Sequence, residues 1–480
     1  MANRLRVTTV ITLAMINVFT LGAGAAVATL MPARLALWNI PRVADRPPAV
    51  ADQVLAGAAA SGPLPTSGGL SAALSGILSS TALGQQVGAV VIDPSSDRVL
   101  FARGASSPLP PASTAKLAIS VAALDVLGPS ARFTTRVTAG ASPGSIVLVG
   151  GGDPTLAAGR PPAADYPQPA TLKSLAASTA RALRAQGRTS ARLGYDTSLF
   201  TGPQLAPGWP MEYVTTGNVT PISALEVDQG RLTLAGAPQD ADVPGNYRPR
   251  STDPAAQAAA AFAAFLASDG IRVTGPVSQQ VAPASAATMA AVTSPPLSAI
   301  VGWMLRESNN VIAEDLARQV ALREGKPASF SGAATAVTGV LRTLGISGGI
   351  HLVDGSGLSP QDRIAPATLA RVVGLAAGAA VQGRLRAAIT GMPVMGFSGT
   401  LAPGQSVFSG SAAPGLGVVR AKTGNLSTVA TLAGLVYDAS GRVLAFAFMT
   451  NNVPAAGLQQ AADRIDAMAT ALAGCGCRGK

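Results

Sequence analysis

Three strand-like runs follow one another near the C-terminal end of the chain: GVVRAKTG (Gly417–Gly424), STVATLAGLVYD (Ser427–Asp438) and RVLAFAFMTN (Arg442–Asn451). Only two or three residues separate each run from the next. A parallel pairing needs a crossover of about a dozen residues or more, so the runs predict an antiparallel meander. An amphipathic helix, GLQQAADRIDAMATALAG, follows them. Near the other end, VGAVVID and RVLFA read as two more short strands joined by the turn-rich PSSD. The helix LSAALSGILSS precedes this pair, and a second helix, STAKLAISVAALDVLG, comes after it and stops at Gly128-Pro129.

Between these ends the texture changes. From Thr138 to Thr293 the chain has short strand-like runs (SIVLVG, RLTLAG), many prolines and Ala-rich stretches such as AAQAAAAFAAFLAS. It reads as an insertion of one or two small lobes. From Pro295 the helical period returns in PLSAIVGWMLRES and, after NN, in VIAEDLARQVALREG. A length of 480 residues exceeds one ordinary domain, and 48% hydrophobic against 12% charged residues excludes global disorder.

The N-terminus sets the compartment. Arg4 and Arg6 precede an uncharged run from Val7 to Ala33, the pattern of an export signal. The run is also longer than the roughly 20 residues that span a bilayer, so a cleaved signal and a retained membrane anchor both fit. The organisation expected is therefore 1–33 signal peptide or anchor, 34–69 a Pro/Ala/Gly-rich linker, 70–137 and 294–473 two halves of one domain, 138–293 the insertion and 474–480 a C-x-C tail. The protein is expected to be exported to the cell envelope. Both cysteines, Cys475 and Cys477, lie in that tail. A local disulfide, free thiols or half a metal site are all open there, but no histidine stands nearby, and no metal or cofactor is expected. The formal charge is +11, yet the arginines are scattered rather than clustered with aromatics, which does not fit a nucleic-acid binder. Attraction to anionic envelope polymers or a membrane is one reading of the charge; a general preference for arginine is the other.

One histidine, His351, excludes a His-rich zinc site and an H-E-x-x-H protease. A G-x-S-x-G match, GISGG around Ser347, follows a helix and has its histidine only four residues on, which does not suit a nucleophile elbow. His351 itself reads as a packed strand residue. Lysine occurs at 116, 173, 326, 422 and 480 alone, and only Lys116 has a serine three residues before it, Ser113. Alone, S-x-x-K is equally a capped helix start. Downstream, however, stand the one S-x-N of the chain (Ser308 to Asn310) and Lys422-Thr423-Gly424. The three occur in order: S-x-x-K opening a helix, S-x-N in a break between helices, K-T-G ending a strand.

These residue types suit acyl transfer by serine. Ser113 at a helix start meets the positive end of the helix dipole, and Lys116 lies one turn on, where burial beside a second cation would free its lone pair. Ser308 can relay a proton to the leaving amine, and Asn310 can orient Lys116. Lys422 and Thr423 can hold a substrate carboxylate, and Gly424 allows close approach of a peptide. The amides of Ser113 and Asn425 would form the oxyanion hole.

With these motifs, and with LPPASTAKL, GGDPTL, YDTSLF, TPISALEVDQGR, DGSGLS and RAKTGNLS beside them, the chain resembles the low-molecular-mass class C penicillin-binding proteins, the D-alanyl-D-alanine carboxypeptidase/endopeptidase group. The resemblance runs from about Leu70 to the last helix. It implies an α/β (α+β) transpeptidase-like domain, an antiparallel sheet flanked by helices as in β-lactamases, split by inserted domains. It implies a serine acyl-enzyme acting on peptidoglycan stem peptides, and covalent inhibition by β-lactams. Ser113 is then nucleophile, Lys116 base, Ser308 and Asn310 the second motif and Lys422 the third. DGSGLS (Asp354–Ser359) reads as a structural loop near the site, and Asp153 as a turn former or a residue facing substrate. A penicillin-recognising esterase or amidase shares the same apparatus. A β-lactamase would want a downstream glutamate, and none follows Glu324. An inactive wall-binding module would have no reason to keep Ser113, Lys116 and Lys422.

Overall fold

The fold was obtained as a computed structural model, which describes residues 62–477 apart from 160–165, 233–247, 379–381, 407 and 409–412. The apolar run 7–33, the linker up to residue 61 and most of RLTLAG lie outside the described residues. The first helix among the described residues is α1 (Ser67–Leu78), started by Thr66, whose hydroxyl accepts from Gly69 N. The hairpin β1 (Gln86–Asp93) and β2 (Arg98–Arg103) follows, then helix α2 (Ala115–Leu127). The middle region supplies β3 (Thr134–Ala139), β4 (Ser145–Val149), α3 (Leu172–Ala185), β5 (Ser190–Asp196), α4 (Pro254–Ser268) and β6 (Thr288–Thr293). Five helices come next: α5 (Leu297–Glu307), α6 (Asn310–Arg323), α7 (Phe330–Thr343), α8 (Pro366–Ala377) and α9 (Gln382–Thr390). The meander β7 (Val419–Leu426), β8 (Val429–Tyr437), β9 (Val443–Asn451) and helix α10 (Leu458–Ala473) close the chain.

The main sheet runs β7-β8-β9-β1-β2, with every neighbour antiparallel. Its middle strand comes from the far end of the sequence: β1 pairs with β9 in a register that sets Gln86 against Asn451. Both faces are covered, so β8 and β9 are buried almost throughout, and alternate residues serve opposite cores. Leu432, Phe446 and Phe448 face a core shared with α1 and α10, while Ala433, Leu435, Ala445 and Ala447 face one shared with α2 and α5–α9. Small residues on that second face let helices sit close to the sheet. α2 is buried from Ala115 through Leu124, as a helix apolar on every side must be.

The middle region builds its own sheet, ordered Arg272–Val273, β5, β4, β3, β6, with β4 and β5 parallel. Helices α3 and α4 fill its own core through Leu175, Leu183, Phe262 and Leu266. That sheet begins at Thr134, a few residues before the change in sequence texture, because β3 pairs with β4 and β6 and not with the main sheet. Residues 206–222 leave it and pack on α6 and α7, with Trp209 edge-on to Phe330. His351 corrects an expectation: it is in a two-residue strand paired with Arg363–Ile364, but its side chain is exposed rather than packed. Cys475 and Cys477 are joined as a disulfide, and the carbonyl of Cys477 accepts from Thr66 N at 3.0 Å, tying the tail to the start of α1.

Candidate active site

The nucleophile candidate stands on a strained turn. Pro110-Pro111 leads into a single 3-10 turn, Ala112–Thr114, that runs on into α2. Ala112 has φ 47°, a left-handed conformation costly for a residue with a Cβ. The turn is held by the Pro111 carbonyl, which accepts from Thr114 N, from Thr114 Oγ1 at 2.6 Å and from Thr431 Oγ1 of β8 at 2.8 Å. Ser113 is thus fastened to the main sheet on one side and to a buried helix on the other.

Lys116, one turn on, is fully buried. Its Nζ donates to Ser113 Oγ at 2.8 Å, Asn310 Oδ1 at 2.7 Å and the Ser356 carbonyl at 2.6 Å, which uses all three ammonium hydrogens. Burial pushes its pKa down to about 7, although the carboxylates of Asp354, Glu314 and Asp362 pull it back up. Near neutral pH the amine can therefore lose its proton, and the Ser113 contact then reverses, the hydroxyl donating to Nζ.

The second motif is built by a helix break. Ser308 ends α5 in a left-handed conformation, φ 58°, and Asn309 caps α6 by accepting from Ile312 N at 3.1 Å. The reversal carries Asn310 back over the nucleophile, where its Nδ2 donates to the Asn218 carbonyl at 2.9 Å, fixing the amide with its oxygen towards Lys116. The hydroxyl of Ser308, half-buried, makes no hydrogen bond to the described residues.

The third motif differs from its expected placement. K-T-G lies inside β7 instead of at its end, with Asn425 and Leu426 continuing the pairing to β8. Gly424 packs against the nucleophile turn: a Cβ there would stand 2.9 Å from the Pro111 carbonyl and 3.0 Å from Ser113 N. Asn425 is exposed at the strand edge. Lys422 is buried, with Nζ donating to the Thr423 carbonyl at 2.7 Å, and Thr423 Oγ1 shares a 2.6 Å hydrogen bond with Thr400 Oγ1. The two side chains expected to present a carboxylate anchor are thus engaged within the protein. Burial first, and then the charge of Lys116, hold the Lys422 pKa well below its usual value. For Lys116 itself, burial is what lowers the pKa.

The sequence singled out DGSGLS only as a nearby loop; its Ser356 carbonyl touches Lys116 directly. That loop is anchored by Glu314 of α6, whose carboxylate accepts from Gly355 N at 3.0 Å and Ser356 N at 2.7 Å. Asp354 fixes the other side, accepting from Trp209 Nε1 at 2.8 Å, Gly357 N at 2.7 Å and Ser359 N at 2.6 Å. No motif marked Glu314; the one signal was its place four residues, about one helical turn, after Asn310. Asp153 forms a turn, its Oδ1 accepting from Thr155 N and Oγ1, and burial raises its carboxyl to about 6.

Comparison with known proteins agrees with this geometry. Residues 70–246 and 231–473 match the D-Ala-D-Ala carboxypeptidase 3 (S13) family. The chain is 39% identical over 435 residues to carboxypeptidase DacB of Mycolicibacterium smegmatis, covering 90% of this chain and 89% of that one. It is 38% identical over 443 residues to carboxypeptidase Rv3627c of Mycobacterium tuberculosis, covering 91% and 90%. Among solved structures, penicillin binding protein 4 of Haemophilus influenzae shares the fold, with a TM-score of 0.65, 24% identity and coverage of 81% of this chain and 97% of that one.

Proposed function

The chain belongs to the D-Ala-D-Ala carboxypeptidase 3 (S13) family and is a serine-type D-Ala-D-Ala carboxypeptidase; from that premise we propose how its residues divide the reaction. The observation that carries the assignment is the buried, threefold-bonded Lys116 Nζ, 2.8 Å from Ser113 Oγ. Ser113 attacks the carbonyl between the two D-alanines while neutral Lys116 takes its proton. The developing oxyanion is met by the amides of Ser113 and Asn425, which the close packing of Gly424 on Ser113 N brings to neighbouring positions. Ser308 passes a proton to the departing amine, D-alanine leaves, and water then attacks the Ser113 ester. Asn310 orients Lys116 throughout.

Penicillins mimic the same carbonyl and are expected to acylate Ser113. Slow release of that ester is part of the proposal, since no glutamate follows Glu324 to activate a deacylating water. The reading includes export, with the catalytic part at the outer face of the cytoplasmic membrane and held there by the N-terminal segment. The support is Arg4 and Arg6 ahead of the uncharged run Val7–Ala33. The test is covalent uptake of labelled penicillin together with D-alanine release from a stem pentapeptide. Wild type is expected to do both, and Ser113→Ala neither. Persistent labelling of Ser113→Ala would sink the assignment.

A further inference from the structure

The segment between α9 and β7 brings one more hydroxyl to the third motif. It carries a single 3-10 turn, Gly399–Leu401. Gly399 opens the turn at φ 54°, and a Cβ there would run into the Arg306 carbonyl in the last turn of α5, two residues before Ser308. The turn is therefore seated on the helix end that carries the second motif. Its stem is held by β7, with Met395 N donating to the Val419 carbonyl at 2.9 Å and Ala421 N to the Pro393 carbonyl at 3.0 Å. Within the segment, Gly396 N donates to the Leu401 carbonyl at 2.9 Å, Val394 N to Ser398 Oγ at 3.0 Å and Ser406 Oγ to the Thr400 carbonyl at 2.8 Å. Leu401 is fully buried beside it. Thr400 is thus fixed by its neighbours on both sides, and its Oγ1 lies 2.6 Å from Thr423 Oγ1.

Two hydroxyls in contact hold two hydrogens and spend only one on each other. Which one they spend decides what Thr423 can do. A carboxylate accepts hydrogen bonds and donates none, so Thr423 serves it only with its own hydrogen free. That requires Thr400 to be the donor of the pair. The backbone shows where the remaining hydrogen is wanted. The main-chain groups of residues 419 and 421 face the outer edge of β7, where segment 393–395 takes them, so those of Thr423 and Asn425 face the same edge beyond that segment's reach. Lys422 is no substitute donor at this point while its Nζ is given to the Thr423 carbonyl at 2.7 Å.

We propose that Thr400 is a positioning residue for substrate binding: its hydroxyl donates to Thr423 Oγ1 and so turns the Thr423 hydrogen towards the terminal carboxylate of the substrate. Without Thr400 the Thr423 hydroxyl is a free rotor, and its hydrogen bond to the carboxylate has to be ordered at every binding event. With Thr400 the two hydroxyls form a short chain ending on a charge, in which each bond strengthens the next. This rests on the carboxypeptidase reading of the cleft and deepens it, by naming what orients the K-T-G hydroxyl.

The experiment follows cleavage of the terminal D-Ala-D-Ala bond in a stem pentapeptide and in the same peptide with its C-terminal carboxylate amidated, the latter with enzyme in excess. Full-length wild type, Thr400→Val and Thr400→Ser are compared. Valine keeps the branched shape and removes the hydroxyl, whereas serine keeps the hydroxyl. On the free acid Thr400→Val is expected to lose roughly tenfold in kcat/KM, mainly through KM, the scale of one hydrogen bond to a charged group. On the amide it should stay within about twofold of wild type. Thr400→Ser should stay within about threefold on both peptides, and Thr400→Ala, which lacks the hydroxyl without adding bulk, should match valine. Equal losses on acid and amide, a serine variant as impaired as valine, or hydroxyl-free variants within twofold of wild type on the acid would overturn the assignment. So would a wild type that turns over acid and amide equally, because Thr423 would then not read the carboxylate. Failure of wild type on the free pentapeptide would instead overturn the underlying reading of the cleft.

Discussion

A lysine side chain ordinarily loses its proton near pH 10.5; Lys116 does so near 7 because it is buried among three hydrogen-bond acceptors. Its pKa is lowered, so the charged form dominates below about 7 and the base is then blocked. Penicillin acylation and D-alanine release should both rise with pH through about 7 and level off above it, which stopped-flow acylation across pH 5–9 measures. The position of that limb is set by neighbouring carboxylates. Glu314 is itself buried and raised to about 7, and its charge favours protonated Lys116. Glu314→Gln should therefore move the limb to lower pH. It should also lower the plateau several-fold, because the Ser356 carbonyl loses its anchor on α6. A limb that stays in place while the plateau falls would mean that Glu314 acts on the loop alone. This role was illegible in the sequence: Glu314 is brought to the site by a loop that starts forty residues later, and no local pattern encodes that contact.

The nucleophile turn and β7 work as one element pair. Motif spacing made Ser113, Lys116, Asn310 and Lys422 legible, since each is fixed by a helix start, a helix break or a strand. Less legible was how K-T-G sits within its strand, because strand ends depend on what the next two residues pair with. Gly424 is where the pair touches, and a Cβ there would press on the Thr431 hydroxyl and on the backbone at the Pro111 carbonyl and Ser113 N. Gly424→Ala should drive Ser113 N away from the strand by a few tenths of an ångström or more. The expected loss in acylation rate is about 10²-fold, the scale of a small misplacement of reacting groups. Circular dichroism should stay that of wild type. An acylation rate within threefold of wild type would show that the oxyanion donors do not depend on this contact.

Across the molecule, α6 is the hub that joins the two sheets. Asn309 donates to Gln229 Oε1 at 2.7 Å, Gln319 to the Gly151 carbonyl at 2.9 Å, and Arg318 lies 4.0 Å over the Phe330 ring and 5.8 Å from Phe200. Arg318 also faces Glu314 at 3.6 Å, both fully buried, with buried Asp315 adjacent. Arg318→Met should cost about 3–5 kcal/mol, since it leaves buried carboxyls without their cation. Urea unfolding measures this, and a loss below about 1 kcal/mol would mean that those carboxyls are neutral in the folded protein. Composition alone revealed the middle region as foreign to its flanks, but not how it docks, because docking runs through single polar side chains. The pairing of β1 with β9 has a further consequence, in time. On the ribosome, β3–β6 can close their sheet once residue 293 has emerged, whereas β1 must wait for residue 451. For most of synthesis the nucleophile's sheet has no middle, and the enzyme remains an open chain that becomes a catalyst only with its last strand.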